Sequence, residues 1–213
     1  MLEPLQHARR SERFFARPQR ATAAGLVLVA AVLVASVLIP AEPLAVDRRW
    51  LRAMRSGRTA FLHDLARVFD ALGHGAGIVV VLGLLGLVLV FQRRWFALLV
   101  AAGAEGLAAL ASAILKAVVG RERPRTGAVE TATTSFPSGH TTYAAVTCVA
   151  AVLLFSKPGP RRRLWWALAV LGTVAMAWSR TYLQVHWLSD VLAGALLGTG
   201  AALLVFGAAQ TRQ

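Results

Sequence analysis

The chain has 213 residues, 57% of them hydrophobic and 15% charged, with a formal net charge of +13. So much apolar sequence, gathered in long blocks, exceeds what a soluble domain of this length needs for a core, and the mean hydropathy is +0.59. Positive charge would suggest nucleic acid in a soluble protein; here it flanks the apolar blocks, so a membrane protein with no nucleic-acid partner is expected.

The first apolar stretch covers residues 21–39 and follows Arg9, Arg10, Arg13, Arg17 and Arg20. Its apolar run is longer than a signal-peptide core, and no convincing small-residue cleavage site follows Ile39, so it is expected to stay as a span. Residues 40–74 form the longest connection. In it Trp50, Leu51, Met54, Phe61, Leu62, Leu65, Val68 and Phe69 alternate with arginines at helical spacing. That pattern predicts an amphipathic helical segment, broken near Gly57, lying either in the interface or on the bundle.

Five more apolar stretches follow at 75–91, 95–115, 141–155, 164–178 and 188–207. The expected fold is all-α and polytopic, with six transmembrane helices and the amphipathic segment between the first two. One domain is expected over 1–213, with residues 1–20 as a basic cytoplasmic segment. Arg93, Arg94, Lys157, Arg161, Arg162 and Arg163 fall on the same side as the N-terminal arginines. The positive-inside rule makes that side cytoplasmic. Trp50, Trp95, Trp165, Trp166 and Trp187 lie near span ends, where aromatic belts form, and Gly194 and Gly198 are spaced for close helix packing. The single Cys148 lies within a span and reads as a small buried hydrophobe.

Three segments on the outer side carry chemistry. In Lys116-x6-Arg123-Pro124 the two cations are close to two helical turns apart, so they share a face if the helix runs past Lys116, with Pro124 ending it. Alone, they also suit ordinary positive flanks. Pro137-Ser138-Gly139-His140 leads straight into an apolar run. Ser138 suits an N-cap, the first-turn N–H groups suit an anion, and Gly139 allows close approach to a phosphate. His140 then sits where it can protonate a leaving oxygen, although a plain capped helix with a surface histidine would read the same. In Ser179-Arg180-x5-His186-x3-Asp190 the histidine and aspartate are four apart, hence on one helix face. A carboxylate behind an imidazole fixes its tautomer, and Arg180 in the preceding turn can fork two phosphate oxygens. No metal cage is offered, and no cofactor is expected. A cation-lined site of this kind fits direct attack of a histidine on phosphorus.

Together, the three segments resemble the signature of the type 2 phosphatidic acid phosphatase superfamily, matching at Lys116, Arg123, Pro124, Pro137, Ser138, Gly139, His140, Ser179, Arg180, His186 and Asp190. The resemblance implies a phosphohistidine mechanism. His186 attacks phosphorus, Asp190 orients it, and His140 protonates the leaving group. Lys116, Arg123, Arg180, Ser138 and the Gly139 backbone hold the phosphate oxygens. Small bacterial members of this layout resemble undecaprenyl diphosphate phosphatases, with phosphatidate or phosphatidylglycerophosphate phosphatases as the alternative. Expected partners are therefore a lipid phosphate or diphosphate and membrane lipids; the sequence does not fix an oligomeric state. A non-catalytic lipid-binding protein would need the cations but not both histidines.

Glu105 lies mid-span, as a structural pair or as a lining of a substrate or proton path. Arg121 and Glu122 read chiefly as solvated loop, Tyr182 and Gln184 as pocket rim, and His7, His63 and His74 as background.

Overall fold

A computed structural model describes residues 13–124 and 134–212. Arg9, Arg10 and His7 lie outside the described residues. Within them the chain forms eight helices and no strand: α1 Pro18–Leu38, α2 Ala45–Ser56, α3 Ala60–Leu72, α4 Ala76–Phe91, α5 Trp95–Val119, α6 Gly139–Phe155, α7 Arg162–Tyr182 and α8 Leu188–Thr211.

Each of the six apolar stretches has become a helix. By length and composition α1, α5 and α8 each suffice to cross a bilayer, and α3 with α4 makes a further candidate pair bent by 61°. The outward faces are apolar, as at Val27 and Val34 of α1, Val79 and Leu84 of α4, and Val170 and Leu171 of α7. This is a helical membrane protein.

The long connection has become two helices, α2 and α3, with conventional starts. The Asp47 carboxylate accepts from the Leu44 N–H at 3.1 Å, and the Thr59 hydroxyl accepts from the Leu62 N–H at 3.2 Å. The bend from α3 into α4 falls at Gly73, His74 and Gly75, and Gly75 takes φ +46°, which a side chain would resist.

Two boundaries differ from expectation. Pro124 does not end α5; Gly120 does, in a left-handed cap with φ +62° whose N–H donates to Lys116 O at 3.1 Å. Helix α7 runs past the predicted end, so Ser179 and Arg180 sit in its final turn rather than in a loop.

Helix α8 is the central post, packed by α1, α5, α6 and α7. Small residues set the spacing. A Cβ on Gly194 would come 2.6 Å from Ser138 O, one on Gly198 would overlap Thr142 O, and one on Gly200 would meet Gly25 O of α1 at 3.1 Å. Glycine at 194 and 198 therefore lets α6 lie on the α8 backbone, as the spacing predicted. Ala97, Ala101, Ala104 and Ala108 of α5, Val146 and Val149 of α6, and Ala201 and Phe206 of α8 fill the main core. This packing brings the C-terminal ends of α5 and α7 and the N-terminal ends of α6 and α8 to the same end of the bundle.

Candidate active site

At that end the three motif segments converge. Lys116 Nζ donates to Thr134 O at 3.0 Å, and Arg123 Nη2 donates to the same carbonyl at 3.4 Å. Arg123 Nη1 lies 3.1 Å from His186 Nε2 and donates to Val185 O at 2.7 Å. The two cations thus converge even though the helix stops between them. A Cβ on Gly139 would sit 3.9 Å from Lys116 Cε, so the first turn of α6 faces the same space.

His186 is buried in the connection before α8, with Nδ1 3.5 Å from Asp190 Oδ2, a contact slightly long for a full hydrogen bond. Nε2 is therefore the nitrogen turned toward Arg123 and Lys116. Burial pushes the His186 imidazole down to about 4; Asp190 opposes this, while the charges of Arg123 and Lys116 add to it. The ring is therefore neutral at neutral pH. Burial also lowers the Arg123 guanidinium from its ordinary value, with Arg180 adding and Asp190 opposing.

Asp190 is wholly buried and densely held. Its Oδ2 accepts from the Trp187 N–H at 2.9 Å, and its Oδ1 accepts from Arg121 Nη1 at 2.7 Å. Arg121 continues to Asp47 Oδ2 at 2.8 Å and Ser189 Oγ at 2.7 Å, while Asp47 Oδ1 accepts from the Ser189 N–H at 2.9 Å. Arg121 is thus fully buried between two carboxylates, not solvated loop. Its motif position lies two residues from Arg123, but the left-handed turn at Gly120 aims it inward.

Ser138 occupies the N-cap position of α6, yet its side chain makes no capping bond. Its Oγ accepts from Thr141 Oγ1 at 3.1 Å, and its N–H donates to Asp190 O at 3.0 Å. The second and third motifs are therefore joined directly through the backbone.

Arg180 and His140 meet a residue outside the signature. Asp70, near the end of α3, pairs with Arg180 Nη1 and lies 3.4 Å from His140 Nε2. His74 stacks near His140 with ring centroids 5.9 Å apart, so it is part of the site's surroundings rather than background. Sequence reasoning passed over Asp47, Asp70, His74 and the role of Arg121. The available signal was scarcity: the chain has 10 acidic residues against 23 basic ones, so a carboxylate in an arginine-rich segment merits a search for its partner.

Other readings also shift. Trp187 is no belt anchor: it is buried, its Nε1 donates to Glu122 O at 2.9 Å, and the Arg121 guanidinium lies 5.9 Å from its ring. Tyr182 is buried and its hydroxyl accepts from the Thr59 N–H at 2.9 Å, tying α7 to α3; Gln184 is buried in a left-handed turn at φ +59°. Neither lines the rim. A cavity of about 560 Å³ runs from Lys116, Gly139 and His140 past the α3–α4 turn to Glu105. Glu105 accepts from Thr147 Oγ1 at 2.7 Å, a structural partner as the first reading expected, and it also lines the cavity.

The fold and site define a helical membrane protein in which Lys116, Arg123 and Arg180 lie around two histidines at one end of the bundle. The PAP2 superfamily model matches residues 95–213, more than half of the sequence, and the chain belongs to that superfamily. An undecaprenyl-diphosphatase of Sulfolobus acidocaldarius is 39% identical over 70 residues, which is 33% of this chain and 31% of that protein; the match thus spans about a third of this relative. The crystal structure of a transmembrane PAP2-type phosphatidylglycerolphosphate phosphatase from Bacillus subtilis superposes with a TM-score of 0.70 at 25% identity, covering 93% of this chain and 98% of that one. LpxE from Aquifex aeolicus shares the fold, with a TM-score of 0.62 at 22% identity over 80% of this chain and 97% of its own.

Proposed function

We propose that the protein is a membrane lipid phosphatase that releases phosphate from a lipid phosphate or diphosphate through a phosphohistidine, without metal or cofactor. The observation that carries this reading is the position of His186: Nδ1 backed by Asp190 and Nε2 turned to Arg123. A neutral nucleophilic nitrogen faces the place where cations would hold the phosphate.

His186 Nε2 forms a bond to phosphorus as the bond to the lipid oxygen breaks, and His140 gives that oxygen its proton. Lys116, Arg123 and Arg180, with the first-turn N–H groups of α6 at Gly139, stabilise charge on the equatorial oxygens. Ser138 holds Thr141 and the Asp190 backbone in register. Water then attacks the phosphohistidine, giving up a proton to His140. The lipid chain extends into the cavity toward Glu105.

Undecaprenyl diphosphate is the substrate we favour, by likeness to the Sulfolobus protein. A phosphatidylglycerophosphate or phosphatidate phosphatase is the second reading, supported by likeness to the Bacillus structure over nearly the whole chain. We place the chain in a bacterial cytoplasmic membrane as one six-span domain, with residues 1–20 cytoplasmic and the site facing outward; the basic flanks support that orientation. The experiment is phosphate release from a panel of lipid phosphates by purified protein in detergent, beside His186→Ala. The variant should fold and lose turnover, and rapidly quenched wild type should carry acid-labile phosphate. Near-normal release by His186→Ala would sink the mechanism.

A further inference from the structure

We infer that Asp70 is a positioning residue for the leaving group: together with the bound phosphate it favours the charged form of His140, so that this ring can donate a proton to a poor leaving oxygen. The inference deepens the lipid phosphatase reading and rests on it.

Asp70 is brought to the site by α3 and the bend that follows. It pairs with Arg180 and lies 3.4 Å from His140 Nε2. The contact is built in by shape as well as by charge. A Cβ on Gly73 would fall 2.6 Å from His140 Cδ2, so the bend fits around the ring, and His74 covers it from the same turn.

The groups facing His140 are mostly cationic or neutral. They are Arg180 from α7, His186 from the connection before α8, and His74 from the bend, with Lys116 of α5 in the shared cavity. Tyr143, one turn on in α6, and Glu105, deeper in α5, line the same cavity, but Glu105 is bonded to Thr147. Among the described residues Asp70 is therefore the anion in contact with the ring. Burial pushes the His140 imidazole of the free site down to about 3, with Arg180, His186 and His74 adding to this and Asp70 opposing it; the charged form is therefore made when the phosphate anion binds, and Asp70 is the protein group that favours it.

The site then contains two imidazole–carboxylate pairs of opposite sense. Asp190 lies 3.5 Å from Nδ1 of His186, which leaves Nε2 to attack; Asp70 lies 3.4 Å from Nε2 of His140, close enough to tighten into a hydrogen bond when the ring is charged, which would leave Nδ1 to carry the proton. In the first step the Nδ1 proton passes to the lipid oxygen as the P–O bond breaks and the N–P bond forms. In the second, Nδ1 recovers a proton from the attacking water as the N–P bond breaks.

The consequence concerns substrate class. An alkoxide leaving group needs this proton, whereas an aryl oxide or the phosphate released from a diphosphate needs it little. Asp70 thus matters most for phosphomonoesters of lipid alcohols.

The test compares Asp70→Asn and Asp70→Glu with wild type on a short-chain phosphatidate, a prenyl diphosphate and an aryl phosphate across pH. Asp70→Asn should lose about 10- to 100-fold on the phosphatidate, part of the ~10²–10⁴ that a general acid supplies. It should lose no more than about threefold on the other two. Its alkaline limb on the phosphatidate should move to lower pH, and Asp70→Glu should restore much of it. Equal loss on all three with an unmoved limb would make Asp70 purely structural. A gain in activity would make it a plug displaced by substrate. Either overturns the inference. If Asp70→Asn does not fold, wild type alone still decides: an alkaline limb present for the aryl phosphate as fully as for the phosphatidate excludes the role. Activity surviving in His186→Ala would instead refute the underlying phosphatase mechanism, whatever Asp70 does.

Discussion

Replacing Arg121 with methionine keeps most of the side chain's volume and removes its charge, leaving Asp47 and Asp190 facing each other. All three side chains are fully buried, and the guanidinium makes bonds of 2.7 and 2.8 Å to the two carboxylates. Breaking a buried pair by removing one partner costs about 3–5 kcal/mol, because the remaining charge is left without compensation. Against a total stability of about 5–15 kcal/mol that is a large fraction. For a chain of this size it corresponds to a fall of roughly 6–20 °C in Tm. Asp47→Asn leaves the Arg121–Asp190 pair intact but takes the charge from the bonds that Asp47 accepts from Arg121, Leu44 and Ser189; with about 1.5–3 kcal/mol for the charged bond to Arg121 and no buried charge left uncompensated, it should be the milder change. Function should follow the same order. Asp190 is held by Arg121 on one oxygen and by the Trp187 N–H on the other, and a 1 Å shift of His186 is enough for a loss of about 10²-fold. The assay is the half-life of activity on heating in detergent, with turnover per folded molecule measured before heating. Arg121→Met matching wild type in both, or proving milder than Asp47→Asn, would refute the argument that this buried network supports the catalytic carboxylate.

The helix packing gives a paired stability test. Gly198→Ala should destabilise by about 1–3 kcal/mol, because its Cβ would overlap Thr142 O and lie 2.8 Å from Ala145 Cβ, whereas Gly83→Ala meets nothing within 4 Å and should be neutral or stabilising. Thermal inactivation of the two variants side by side checks the order. Vanadate should inhibit, since its five-coordinate form suits the three cations, and EDTA should leave activity intact. Among the described residues no three His, Cys, Asp or Glu side chains are grouped to hold a metal. Activity lost on chelation and restored by magnesium would contradict that expectation.

Local periodicity made the helices legible, and motif spacing made the convergence of Lys116, Arg123, His140, Arg180, His186 and Asp190 legible. What stayed hidden was tertiary. Asp47 and Asp70 lie in a segment whose alternation of arginines with apolar residues reads as an interfacial helix. Nothing in that period says that its carboxylates turn inward, 74 and 110 residues along the chain from Arg121 and Arg180. Arg121 was read as solvated loop from its place beside Arg123, and nothing local in the sequence shows that the chain after the left-handed cap at Gly120 turns it inward to two carboxylates. Trp187 was read from its position near a span end, while its partner, the Glu122 carbonyl, comes from another loop.

Acid sensitivity of fold and activity should share one origin in His186. Its imidazole is pushed down to about 4 by burial, against about 6.5 when unfolded. Between those values the unfolded chain binds the extra proton, so stability rises with pH across that window. The contribution is fully present above about 6.5 and is lost as pH falls toward 4. For a fully buried group the shift is worth on the order of 3 kcal/mol. His140, pushed down to about 3, adds a contribution of the same sign, so His186→Ala should reduce the pH dependence of unfolding over this interval and leave the His140 share, measured by denaturation in detergent. The His186 ring must be neutral to attack, so the acid limb of kcat/KM should lie well below 6.5 once the substrate's own ionisation near 6 is removed. Burial pushes the His140 imidazole of the free site down as well, to about 3, so the alkaline limb belongs to the phosphate-bound state, in which the anion favours a proton on His140, and both limbs belong to the coupled pair of imidazoles. His140→Ala should remove most of the alkaline limb and should hurt an aryl phosphate least. An acid limb at the ordinary histidine value, together with unfolding whose pH dependence is unchanged by His186→Ala, would mean that the buried ring is held charged. Asp190 would then outweigh burial, and His186 would act as a cationic ligand of phosphate instead of its nucleophile.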